Sequence, residues 1–159
     1  MFDVDVRSLP ERRLATISRH VHANETDGLF DHVFARLRAA GPGIPGIAGV
    51  PFLIFYGDVS DDSDGPIELC RPVGTSEVRD SGDIELRVEP AHDEAYIRLA
   101  AKDMGWPAML PACDALESWV SAHQRQPAGA LRQLLIADQR TAGPETPVCD
   151  LSVPLRPGR

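Results

Sequence analysis

Apolar residues recur along this chain with two periods, and each change of period marks an element. Over Val4–Leu9 and Leu14–His20 they alternate with polar positions, which predicts two half-buried strands split at Pro10-Glu11. Leu29, Phe30, Val33, Phe34 and Leu37 then recur every three or four residues, the stripe of an amphipathic helix capped near Thr26-Asp27. Ala39-Ala40-Gly41-Pro42 stops that helix, with Gly41 expected as a left-handed cap. A Gly/Pro-rich connector over 41–51 leads into an apolar strand, Phe52–Tyr56. An acidic loop over 58–65 precedes a returning strand, Ile67–Val73.

The same order then repeats. Ile84–Val88 and Ala95–Ala101 read as strands around Pro90, and Pro107 is expected in a first helical turn. Met109, Cys113, Leu116 and Val120 form the helical seam, with Trp119 beside it. Leu131–Ile136 and Leu151–Leu155 close the set around a loop over 137–147. The repetition reaches residue types: Asp3-Val4-Asp5-Val6-Arg7 returns eighty positions later as Asp83-Ile84-Glu85-Leu86-Arg87. Pro10, Ala15, Ile17 and Asp58 likewise meet Pro90, Ala95, Ile97 and Asp138, and the offset drifts to 82 where Arg71-Pro72-Val73 meets Val153-Pro154-Leu155. Each half thus reads as β-β-α-β-β, or β-α-β-β with a lead-in strand. The expectation is one α+β domain over 1–159 made of repeat 1 (about 1–80) and repeat 2 (about 81–159). Each copy has an apolar face to bury, the other copy is nearest, and the seam is where a ligand is expected.

Composition narrows the classes of function. The 159 residues suffice for one domain with a proper core. Sixteen basic against twenty-four acidic residues give a net charge of −8, and no Lys/Arg cluster stands out, which argues against direct nucleic-acid binding. Asp3 and Asp5 fall where a signal peptide needs an apolar core, and no run reaches membrane-spanning length, so a cytoplasmic protein without a membrane role is expected. Cys70, Cys113 and Cys149 lack the number and spacing of a disulfide framework or zinc site and read as reduced, buried thiols.

Most chemical motifs dissolve on inspection. Gly43, Gly46 and Gly49 follow a helix instead of opening one, unlike a phosphate-binding loop. Ser60, Asp62, Asp64 and Gly65 imitate half a calcium loop, but its twelfth position would be Arg71. His20, His22, Glu25 and His32 contain two ligand types without fixing a metal set, so no metal and no cofactor is expected. Large side chains near the seam remain: Phe52, Phe55, Tyr56, Tyr96, Trp106 and Trp119, of which Phe52 and Trp119 are first candidates for plain core. Tyr56 and Trp106 each adjoin a glycine at an element's end, where a ring can face a cleft. Glu68, between Ile67 and Leu69, is the carboxylate least easily read as surface; with those two in the core it faces outward or into a groove.

In this ordered set the chain resembles the GyrI-like, or AraC-type effector-binding, domain family. The resemblance spans nearly the whole chain and is carried by Val6-Arg7-Ser8-Leu9-Pro10, Arg13-Leu14-Ala15 and Glu68-x-x-x-Pro72-Val73 in the first copy. In the second it is carried by Gly105 leading to Leu110, Leu116 and Trp119, then Pro127-x-Gly129, Leu131–Asp138 and Ser152-Val153-Pro154-Leu155. It implies two βαββ modules with pseudo-two-fold symmetry, a curved antiparallel sheet with two main helices, and a groove between the halves for amphipathic, often cationic, molecules. Where the family carries its pocket glutamate this chain has Gln133, with Leu135 in place of a tyrosine and Ser152 in place of an aromatic. A glutamine offers hydrogen bonds but neither charge nor proton acceptance.

The expected function is therefore a stand-alone small-molecule-binding protein, acting in transcriptional regulation or drug sequestration. Its ligand would be a hydrophobic cation or a neutral amphiphile. Phe55, Tyr56, Tyr96 and Trp106 would supply ring surface, Leu135 apolar wall, Gln133 a neutral anchor, Ser152 a polar contact and Glu68 the charge. With the first strand beginning near Met1, no DNA-binding element is expected ahead of it, and a regulatory role would need a protein partner. Three alternatives stand beside this: a hydrolase of electrophilic small molecules with Glu68 or His92 as base, an acidic inhibitor of a DNA-handling enzyme, and a haem-binding relative of the fold.

Overall fold

The computed structural model describes residues 2–21, 26–57, 65–77, 82–105 and 107–158. They form an α+β fold of eight antiparallel strands and two main helices, divided into two compact units: Pro10–Ala91, and Met1–Leu9 together with His92–Arg159. His22, Glu25, Ser60, Asp62, Asp64 and Trp106 of the sequence reading lie outside the described residues.

The unit Pro10–Ala91 contains β2 (Arg12–Val21), α1 (Thr26–Ala40), β3 (Phe52–Phe55), β4 (Gly65–Val73) and β5 (Glu85–Glu89), with strand order β3-β4-β2-β5. The other unit contains β1 (Asp5–Leu9), β6 (His92–Ala100), α2 (Leu110–Ala122), β7 (Arg132–Leu135) and β8 (Pro147–Leu155), in the order β1-β6-β8-β7. The repeats have therefore exchanged their lead strands. The first strand of the chain pairs with β6, and the first strand of the second repeat pairs with β2. Pro10 and Pro90 sit at these crossings, where a residue without an N–H interrupts pairing at no further cost.

Pairing register establishes the duplication more firmly than residue identity does. Leu14 lies opposite Arg87 as Glu94 lies opposite Arg7, and Glu68 opposite Ser18 and Ile54 as Asp150 opposite Arg98 and Leu134. Equivalent positions are eighty apart through most of the repeat and 82 apart in the last strand, the drift seen in the sequence.

Each helix covers one side of its own sheet. Val33, Phe34, Leu37 and Ala40 of α1 are buried, as are Ile17, Ile67 and Leu69 on β2 and β4. Met109, Ala112, Leu116 and Val120 close over Ala95, Ile97, Leu99, Cys149 and Leu151 in the other unit. Two terminal expectations are corrected. Gly41 has no positive φ; a Cβ there would lie 2.7 Å from Thr75 Cγ2, so close approach explains the glycine. The end of α1 is instead capped from β4: Arg71 donates to the carbonyls of Leu37 at 3.3 Å and Gly41 at 2.7 Å, a cation at the negative end of the helix. Pro107 precedes α2 in a turn whose carbonyl accepts from Leu110 N–H at 3.0 Å, and Pro111 occupies the first helical turn.

Candidate functional site: two arginine–carboxylate nests

Strand alternation decides which side chains share a face. On β4, Ile67, Leu69 and Arg71 turn toward α1, so Glu68 points to the opposite side, as its apolar neighbours implied. Glu68 is buried and fully engaged. Tyr56 Oη donates to its Oε1 at 2.6 Å, and Arg87 from β5 donates through Nη2 to Oε1 at 2.9 Å and through Nε to Oε2 at 3.2 Å. The neighbouring Thr16 side chain also favours the charged carboxylate. Burial alone would raise the carboxyl's pKa, but the bonds from Arg87 and Tyr56 outweigh it and hold it below its ordinary value. The Tyr56 phenol is pushed well above its ordinary value by burial of its hydroxyl and by donation to Glu68, although the residue as a whole remains 55 % exposed. An anchored hydroxyl with an uncovered ring makes a rigid stacking surface. A separate pair staples the same unit: Arg12 donates to Glu89 Oε2 and to the Ala48 carbonyl, both at 2.8 Å, with its guanidinium 5.0 Å from the Phe52 ring.

The unit built on β6 and β8 carries the larger nest at the equivalent register. Glu94 and Asp150 are both 0 % exposed. Arg7 reaches them from β1: Nε donates to Glu94 Oε2 at 2.7 Å and Nη1 to Asp150 Oδ2 at 2.8 Å. Arg98 grips Asp150 through both oxygens at 2.9 and 3.0 Å, which raises the Arg98 pKa. The Arg7 guanidinium also lies 3.8 Å over the Tyr96 ring. Among the described residues, Glu94 Oε1 and Ser152 Oγ are buried with no hydrogen-bond partner.

The sequence-derived candidates fall into distinct places. Tyr56 and Glu68 bond directly, while Tyr96 and Ser152 are cross-strand partners on the side of their sheet away from α2. Phe55 lies opposite Ile67 on the α1 side of its sheet. Gln133 and Leu135 lie opposite Leu151 and Cys149, on the α2 side, where the Gln133 amide meets Met109 Sδ at 3.6 Å. The strand neighbours on the other side are Arg132 and Leu134, since a shift of one residue reverses the face. Arg7, Glu94, Asp150 and Arg98 were not singled out from sequence. The signal was nonetheless present: Arg7 and Arg87 align in the repeat, and Asp150 follows Glu68 by the 82-residue offset.

Among the described residues no three His, Cys, Asp or Glu side chains group as a metal site, and no helix is long and apolar enough to cross a membrane. The three cysteines form no disulfide; Cys70 and Cys149 are buried as expected and Cys113 only half-buried, and burial pushes the Cys149 thiol up to about 12, leaving it unreactive.

No family profile and no curated protein matches the sequence. Solved structures do match. The EcmrR C-terminal domain aligns with a TM-score of 0.73 at 13% identity, over 98% of this chain and 98% of that one. EcmrR in its DNA complex gives 0.74 at 13% identity over 97% of this chain, which spans 57% of the EcmrR chain. A hydrolase from Listeria innocua gives 0.66 at 9% identity, over 97% and 92%. SAV2435 bound to tetraphenylphosphonium gives 0.62 at 13% identity, over 97% and 94%. At these identities the likeness is one of architecture, and it agrees with the resemblance carried by the motifs: this chain has the fold of the GyrI-like effector-binding domains.

Proposed function

We propose that this protein binds a small, neutral amphiphile, with the Tyr56 ring as one stacking surface. The observation that carries the reading is that, among the described residues, each of the four buried carboxylates, Glu68, Glu89, Glu94 and Asp150, already has an arginine partner. A hydrophobic cation gains most where a buried carboxylate lacks its countercharge, and here it would have to displace an internal guanidinium. A neutral ligand faces no such competition. Tyr56 favours binding because its anchored hydroxyl fixes the ring in advance, lowering the ordering cost. Small-molecule binding is also what SAV2435 of the same fold displays toward tetraphenylphosphonium. Any contribution to transcription or to drug sequestration would follow from occupancy by such a ligand.

Hydrolysis is the weaker reading, even with a hydrolase among the structural neighbours. Glu68, held below its ordinary pKa, is a poor proton acceptor. Two propeller-shaped probes of similar size separate cation from neutral binding: tetraphenylphosphonium and triphenylmethanol. Triphenylmethanol is expected to raise the melting temperature in proportion to occupancy and tetraphenylphosphonium to leave it unchanged. The reverse order would overturn the preference for a neutral ligand, and no shift with either would overturn small-molecule binding.

A further inference from the structure

The two nests occupy the same register but are not equivalent, and the difference is informative. In the unit Pro10–Ala91, Arg87 meets one carboxylate, Glu68, and both of its oxygens are used. Leu14 and Thr16 stand at the positions that carry Glu94 and Tyr96 in the other unit. That is a closed ion pair. The other unit adds a second fully buried carboxylate and an aromatic face, so that the Arg7 guanidinium is forked by Glu94 and Asp150 and stacked on Tyr96. Even so Glu94 Oε1 and Ser152 Oγ, in residues 0 % exposed, have no hydrogen-bond partner among the described residues, although a further buried guanidinium, that of Arg132, stands opposite Ser152. Unfilled polar atoms cost stability when buried, and here they lie beside two carboxylates and a ring face that already hold one guanidinium.

We propose that Glu94, Asp150, Tyr96 and Ser152 form a binding site for a planar organic cation, a guanidinium or amidinium, and that Arg7 occupies it as a tethered internal ligand. The ligand class follows from the contacts. Two carboxylates match the donor fork of a delocalised planar cation, and the ring face takes its flat side; a compact ammonium uses neither geometry. The tether follows from topology. Arg7 sits on β1, a five-residue edge strand paired only with β6 within its unit. Held there, its effective concentration excludes free cations at ordinary levels. The inference goes beyond the binding of a neutral amphiphile and is tested on different grounds.

The test is chemical replacement in the full chain. Arg7→Ala is expected to melt well below the wild type and to be restored, saturably, by millimolar methylguanidinium chloride, with sodium chloride as the ionic-strength control. Methylammonium is expected to act about tenfold more weakly, since it lacks the planar fork. Wild type, with the site filled, shows no saturable shift, and adding Glu94→Gln to Arg7→Ala removes the response. If Arg7→Ala does not fold, Arg7→Met, which keeps an unbranched aliphatic side chain at the position, is titrated in its place. Absence of saturable stabilisation in both variants, or an equal response in wild type, overturns the proposal. Neither result bears on whether triphenylmethanol binds the wild-type protein.

Discussion

Asp150 and Glu94 are two full charges removed from water in one small unit, and they are tolerated only because arginine donors reach them. Asp150→Asn removes the charge shared by Arg7 and Arg98 and turns one of its two acceptor oxygens into a donor, and urea unfolding is expected to record a loss of about 3–5 kcal/mol. Tyr56→Ala should weaken triphenylmethanol binding about tenfold by removing the ring, while Tyr56→Phe, which loses only the anchor to Glu68, should weaken it less. The carboxylates also set acid behaviour. Glu68 titrates below its ordinary value in the folded state, so its stabilisation is complete above about pH 4.5 and is lost as pH falls through the folded value. Asp83, held at about 2 by hydrogen bonds from Arg36 and Arg19, adds to the same trend. A melting temperature flat from pH 7 to 5 and falling below that is the expected profile, and Glu68→Gln should flatten the fall. Glu68 was legible from its place between Ile67 and Leu69. Glu94 was not, because what permits a buried glutamate there is an arginine on a strand far away in sequence.

Element ends were harder to read than elements. The helical stripes of Leu29–Leu37 and Met109–Val120 and the alternation of the strands predict the observed α1, α2 and sheet strands closely. Gly41 and Pro107 misled because glycine and proline each serve several purposes. A tight approach to Thr75 demands a glycine as firmly as a left-handed backbone does, and a proline fits the turn before a helix as well as its first turn. The cap that replaces Gly41 comes from β4, a tertiary contact that local sequence cannot announce. Arg71→Met is expected to cost about 1 kcal/mol and to speed amide exchange in the last turn of α1. Gln133 carries a related lesson: motif spacing fixes a position on β7, but only pairing with β8 fixes its face, and that face lies against Met109.

At the scale of the molecule, the repeat was visible in Asp3–Arg7 and its return at Asp83–Arg87, whereas the exchange of those same segments was not. Residues 10–91 include every strand of one unit's sheet, and residues 1–80 lack β5. As separate fragments, 10–91 should therefore show more protected amides by hydrogen exchange than 1–80; equal protection would mean that β5 contributes little to its sheet. Exchange also governs the order of assembly. Leu9 has its partner at His92, so β1 stays unpaired until β6 has been made, and Arg7 meets Asp150 only once β8 has followed. A chain emerging from the ribosome can close residues 10–91 early, whereas the sheet that holds β1 waits for partners far along the sequence, which slows the maturation of that unit.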